Sequence, residues 1–208
     1  MKKISLFMKD TYIALQNALY TPEILNALSR YGYSEKKIKG AMERLQHVKQ
    51  VGIARDEASR YARAATRNLQ LAKASLKELF QIHIETARLA FKREADYSDD
   101  LHICVRIKGG TMEWLAQVER FYANVPIEMM EKYHVPKEEL EQVAVMQSRV
   151  MELMASQSAN KSKEQELTQQ RNAEIKALEL WMRHFMKIAE VALNDSPQQL
   201  EALNKVVR

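Results

Sequence analysis

The chain repeats itself. Sliding the 208-residue sequence by 102 positions lays one half on the other without a gap. Tyr12-Ile13-Ala14 falls on Trp114-Leu115-Ala116, Tyr20 on Tyr122, Tyr31 on Tyr133 and Ile38 on Leu140. Farther along, Val48 falls on Val150, Leu76 on Leu178, Ala87 on Ala189, Ala90 on Ala192 and Phe91 on Leu193. The matching residues are apolar or aromatic, and most recur at steps that collect side chains on one face of an α-helix. A duplicated core whose surface has drifted has this pattern. The expected fold is all-α, a tandem duplication at offset 102 of a four-segment helical unit, with residues 1–100 as helical repeat 1 and 101–208 as helical repeat 2.

Local signals divide each repeat. A first helix is expected over about 5–19, matched by about 111–122. Thr21-Pro22-Glu23 opens a short second helix with a capping hydroxyl, a proline at the first helical position and an acid in the positive first turn. That helix closes at Tyr31-Gly32, where glycine takes the left-handed conformation easily. Ser34 caps a third helix from Glu35. In the second repeat Tyr133-His134-Val135-Pro136 replaces this turn, and histidine tolerates positive φ better than most residues. From Glu35 to about Glu94 no proline breaks the helical pattern, and from Lys137 to Leu193 neither glycine nor proline does. Ser196-Pro197-Gln198-Gln199 reads as a capping box opening a short terminal helix.

Two layouts fit this pattern. Each repeat can fold back near 52–56 and 156–163 into its own four-helix bundle. Alternatively each repeat holds one continuous helix of about 60 residues, near 90 Å at 1.5 Å per residue. Two such helices lie antiparallel and form two helical bundles, the third segment of each repeat packing beside the last segment of the other, like a dumbbell. The second layout is preferred, because a hairpin wants Gly, Asn, Asp or Pro at its bend and 156–163 offers only Asn160. Ala58, Ala62, Ala64 and Ala65 would also let two backbones approach closely. Leu101-His102-Ile103-Cys104-Val105-Arg106-Ile107, followed by Gly109-Gly110, is a short β-like run read as the connection between repeats.

The lone Cys104 cannot form an internal disulfide, which favours a reducing compartment. Lys9 and Asp10 end the N-terminal apolar run too early for a signal peptide, and no stretch approaches the 18 apolar residues of a membrane span. A cytoplasmic location without membrane partners is expected. The net charge of +5 is uneven: residues 1–102 carry 18 Lys/Arg and 12 Asp/Glu, residues 103–208 carry 14 and 15. Basic and acidic residues alternate, as on solvated helix faces.

The C-terminal segment carries a family mark. Gln170-Arg171-Asn172-Ala173 leads into Leu178-Glu179-Leu180-Trp181-Met182-Arg183-His184-Phe185, and Asp195-Ser196-Pro197-Gln198-Gln199-Leu200-Glu201-Ala202-Leu203 follows. With Trp114-Leu115, Phe121-Tyr122 and the Tyr31-Gly32-Tyr33 turn, the chain resembles a group of uncharacterised bacterial all-helical proteins with the same ending. The resemblance implies a conventional bacterial cytosolic protein and brings no known activity.

Motifs for chemistry are sparse, so no catalytic residue, cofactor or metal ligand is assigned. Nucleotide loops, Gly-x-Ser-x-Gly and Cys-x-x-Cys are absent. The one Glu-x-x-His, Glu131 to His134, falls in a turn, whereas a di-iron helical-bundle enzyme needs inward-facing ligands from four helices. His83 lies on the apolar stripe opposite Phe185 and reads as a core histidine. Glu43 and His47 read as a helix-face contact, and His102 with Cys104 as an imidazole beside an inert thiol. For nucleic acid the candidates are Lys36, Lys37, Lys39 and Arg44, with Tyr31 and Tyr33 nearby to stack on bases. The lysines recur as Glu138, Glu139 and Glu141 in repeat 2, so the charge belongs to one repeat only. For a protein partner the candidates are Met151 and Met154, because methionine adapts to irregular partner surfaces. The ranking that follows is a non-enzymatic helical interaction or scaffold protein, self-associating or bound to a protein partner. A nucleic-acid-binding helical protein comes second and a metal-dependent helical-bundle enzyme last.

Overall fold

The computed structural model describes residues 2–91 and 110–204, apart from the side chains of Lys2 and Lys3. The β-like run from Leu101 to Ile107, with His102 and Cys104, lies outside the described residues. The described chain is all-α, with no strand among those residues. Its helices are α1 (Lys2–Tyr20), α2 (Pro22–Ser29), α3 (Glu35–Ala90), α4 (Thr111–Asn124), α5 (Ile127–Lys132), α6 (Lys137–Ala192) and α7 (Pro197–Ala202).

The two 56-residue helices decide between the layouts. Residues 52–56 and 156–163 are helical throughout, so neither stretch folds back. Asn160, the one hairpin-type residue in its stretch, points its side-chain amide at the Ser156 carbonyl one turn earlier, at 2.8 Å, and stays within the helix. The chain divides into two compact units that cut across the expected repeats: residues 1–59 with 162–208, and residues 60–161. Unit 1 therefore combines α1, α2 and the start of α3 with the end of α6 and α7. Unit 2 combines the rest of α3, α4, α5 and the start of α6.

Within unit 1 the two long helices run antiparallel. The Tyr33 ring, just ahead of α3, packs edge-on against Trp181 and Phe185 of α6, at centroid distances of 5.6 and 5.5 Å. Farther along α3, Arg55 reaches Thr168 at 3.3 Å and Glu164 at 3.8 Å. Leu15, Ile24, Leu28, Ile38, Leu178 and Phe185 are fully enclosed in this core. Each such side chain contributes roughly 1.5–3 kcal/mol on leaving water. The last turn of the chain is tied back to α1: Asn17 donates to the Ala202 carbonyl at 2.6 Å, and Asn204 to Asp10 at 2.9 Å.

Unit 2 has the same antiparallel register, with Gln157 of α6 donating to Thr66 of α3 at 3.1 Å. Its core is built on Leu76, Phe80, Phe91, Phe121, Val143 and Val150. Ala62, Ala65 and Leu69 form one buried stripe of α3 here, while Ala64 faces solvent.

Turn chemistry follows the sequence in two places and departs from it in two. Gly32 has φ +80° and His134 φ +64°, so both turns use the left-handed conformation. In each, the next residue donates back to the last helical turn, Tyr33 to Leu28 and Val135 to Met130, both at 3.1 Å. Thr21 and Ser196 precede prolines at the first helical position, yet neither hydroxyl makes the expected capping bond. The Thr21 carbonyl accepts the ordinary first helical bond from Leu25 at 3.0 Å, and only at Ser196 does the carbonyl also reach the third helical N–H, that of Gln199, at 3.0 Å. Proline at the first helical position has no N–H, so each of these ends carries one orphan donor fewer.

Burial along the long helices agrees at offset 102: Ile38 and Leu140, Val48 and Val150, Leu76 and Leu178, and Phe91 and Leu193 are buried pairwise. The first helices do not keep that offset. Tyr20 is 77% exposed, whereas Tyr122 is largely covered and hydrogen-bonded inside unit 2. Buried Thr11, Leu15 and Ala18 of α1 correspond to buried Trp114, Val118 and Phe121 of α4, one position further on. The small residues Thr11 and Ala18 occupy places that repeat 2 fills with indole and phenyl rings.

Candidate functional site

The densest polar chemistry lies in unit 2, around His83. Its ring is completely buried. Nδ1 meets the Tyr122 hydroxyl at 2.6 Å, and Nε2 meets a Glu139 carboxylate oxygen at 2.8 Å. α3 supplies the imidazole from its apolar stripe, α4 the phenol and the first turn of α6 the carboxylate. A single tautomer satisfies both contacts, with Nε2–H donating to Glu139 and Nδ1 accepting from the Tyr122 O–H. Phe80, Phe121 and Tyr122 make a connected set of ring contacts beside it, and His83 meets Tyr122 edge-on at 5.6 Å.

Carboxylate, imidazole and hydroxyl in series is the order of groups in a nucleophilic triad, but the electrostatics here oppose that use. Burial, with the nearby Glu139 charge as a second cause, raises the Tyr122 hydroxyl far above the ordinary tyrosine range. A phenol whose ionisation is suppressed is a hydrogen-bond donor rather than a nucleophile. The trio is a satisfied buried network that fixes three elements on one another. In unit 1 the positions 102 residues away hold Phe185 for His83 and Lys37 for Glu139, and the space is filled by the Tyr33, Trp181 and Phe185 rings. The histidine was legible as a core residue. Its partners, 39 and 56 residues away, were not, although a buried imidazole demands two.

Beside Tyr122 runs a cleft of about 520 Å³ between α4, α5 and the start of α6. Its walls are apolar, including Leu115, Val125, Leu140 and Ala144, and Glu119 and Glu141 also line it. Met112, Ile127 and Met151 line it while remaining 60%, 39% and 50% exposed. Met151 thus stands in the open cleft, whereas Met154 packs partly buried against the unit 2 core.

The basic candidates sit at the start of α3 in unit 1. Lys36, Lys37, Lys39 and Arg44 are all exposed. Two are engaged locally: Lys37 lies 3.9 Å over the Tyr33 ring and donates to the Gly32 carbonyl at 3.3 Å, and Lys39 pairs with Glu35 at 2.6 Å. The Glu35 contact raises the Lys39 pKa. Tyr31 is 49% exposed, but Tyr33 is buried against Trp181 and Phe185 and cannot stack on a base.

Glu131 and His134 are both exposed, in the turn after α5, where the His134 N–H donates to the Glu131 carbonyl. Among the described residues no group of three or more His, Cys, Asp or Glu side chains is placed to hold a metal ion, and no helix is long and apolar enough to cross a membrane. The fold and site thus describe an all-α protein in which, among the described residues, a buried polar network and open clefts lie between helices. Comparison with known protein families, with curated protein sequences and with solved structures finds no match.

Proposed function

We propose that the protein is a non-enzymatic helical interaction module, and that the unit 2 cleft receives an amphipathic helix from a protein partner. The observation that carries this reading is the exposure of Met112, Ile127 and Met151 along one apolar cleft. Large apolar side chains left open in a groove between helices suit a helix laid in by its apolar face. Unbranched, polarisable methionines adapt to such a guest. Glu119 favours a guest with lysine or arginine flanking that face, while Glu141 is already paired with Lys137 at 3.4 Å. The closed hydrogen bonding of His83, Tyr122 and Glu139 supports a structural rather than a catalytic use of the neighbouring polar groups. We also read the chain as a duplicated unit. Two helices of equal length begin 102 residues apart, and left-handed turns at Gly32 and His134 share that separation.

The test is fluorescence anisotropy with a labelled Leu/Lys amphipathic peptide of about 18 residues, five helical turns. Saturable binding is expected, weakened roughly tenfold by Met151→Glu in the full chain. A Leu/Glu peptide of the same length should bind less tightly. Equal binding to the Met151→Glu protein, or none to either, would overturn the reading. Sedimentation equilibrium of the protein alone shows whether a second copy fills the cleft instead.

A further inference from the structure

Unit 1 contains a second cleft, of about 840 Å³, bounded by α1, α3 and the end of α6. That size lies within the roughly 300–1,000 Å³ of small-molecule sites. Met8, Leu45, Val48 and Ile175 make much of its wall apolar, and Lys9, Lys49 and Arg171 bring three cations to it. Asp56 is the one carboxylate among the described lining residues, and it is already held by Arg55 at 3.0 Å. The cleft thus combines a greasy surface with uncompensated positive charge.

Arg171 is the unusual member. Among the described residues its Nε is buried without a hydrogen-bond partner, and Nη2 donates to the side-chain oxygen of Asn172, at 3.2 Å. The residue 102 positions earlier is Leu69, which is buried in the unit 2 core. An arginine therefore occupies a helix-packing position where the other half of the chain has a hydrocarbon. Burying a donor on a charged group without an acceptor is costly, and such groups call for a reason. Lys49 shows the same contrast, because its counterpart Met151 lines the methionine-bearing cleft of unit 2. At these two positions unit 1 has a cation where unit 2 has an apolar side chain.

We propose that this cleft is a binding site for a single-chain amphipathic anion, a fatty carboxylate, with its alkyl chain along Met8, Leu45, Val48 and Ile175 and its carboxylate held by Arg171 and Lys49. Guanidinium supplies planar, charge-assisted donors that suit a carboxylate, and Lys49 adds a point charge. The alkyl chain separates this site from one for a free inorganic anion, which would leave the apolar wall wet. The inference is independent of the reading of the unit 2 cleft, which uses different residues and carries acids.

The experiment is isothermal titration of the full chain with dodecanoate below its micelle threshold, beside dodecanol, dodecyltrimethylammonium and acetate. Saturable 1:1 binding of dodecanoate is expected, with the other three ligands far weaker. Arg171→Leu and Lys49→Met place on unit 1 the residues that unit 2 carries, so both variants should fold, and circular dichroism checks this. Each should weaken dodecanoate roughly tenfold, while Met151→Glu should leave it unchanged. Equal binding of the cationic or neutral amphiphile, unchanged binding by the two variants, or no saturable binding of dodecanoate would overturn the proposal.

Discussion

Gly52 offers the sharpest test of helix continuity. It is the point in α3 where the sequence allows a bend, and in the structure it lies well inside a 56-residue helix. A Cβ built on it meets no atom within 4 Å, and the same holds at Gly40. Neither glycine has positive φ. Alanine therefore fits both sites without displacement, and the substitution removes only glycine's helix penalty. That penalty is about 0.8–1.0 kcal/mol per site in a helix interior, much of it unfolded-state backbone entropy. The two glycines are twelve residues apart, near 18 Å along the axis, so their effects should add to about 2 kcal/mol. Urea unfolding followed by circular dichroism should show Gly52→Ala and Gly40→Ala each moving the midpoint upward, with an unchanged slope. Gly52→Pro should cost about 3 kcal/mol or more, through the lost N–H and the clash with the preceding turn. A loss of stability in Gly52→Ala beside a gain in Gly40→Ala would refute the reasoning, because it would mark residue 52 as a turn requiring glycine.

Other outcomes follow from the unit 2 core and from the tyrosines. Tyr122→Phe leaves His83 Nδ1 buried without its partner and should cost about 1–3 kcal/mol, read by the same urea titration. Burial raises the ionisation of Tyr122 and Tyr33 above the ordinary tyrosine value near 10. Their contribution to stability is therefore complete below about pH 10 and is lost as pH rises toward the folded-state values. Unfolding midpoints measured from pH 9 upward should fall, and Tyr122→Phe should flatten part of that fall, with Tyr33 contributing to the rest. Identical pH profiles would contradict this. Trp114 is buried with its indole N–H unpaired. Trp114→Phe should therefore cost less than the usual large-to-small core change, about 1 kcal/mol or below, because it also removes an unsatisfied donor.

Helix existence and turn chemistry were readable because they depend on neighbours in sequence. The lack of proline between Glu35 and Ala90, and of both glycine and proline between Lys137 and Ala192, pointed to the two long helices, and Gly32 and His134 to the left-handed turns. The register of α1 was less legible, because apart from Leu15 its buried face is carried by Thr11, Ala14 and Ala18, residues too small to stand out beside Tyr12 and Tyr20. Those two tyrosines drew the alignment to offset 102, yet both face solvent. Thr21 and Ser196 had the right residue types for caps, but neither hydroxyl makes a capping bond. The polar network and the cationic cleft are tertiary products: Glu139 and Tyr122 reach His83, and Arg171 reaches the cleft, only once distant segments have packed. Nothing in local periodicity encodes such meetings.

The central structural claim is that each compact unit is assembled from both halves of the chain, and one nuclear Overhauser experiment addresses it. With ring centroids at 5.5–5.6 Å, Tyr33 should give cross-peaks to the ring protons of Trp181 and Phe185. Cross-peaks from Tyr33 to Leu76, Phe80 or Ala87 in their place would mean that each repeat closes on itself, and would contradict the account.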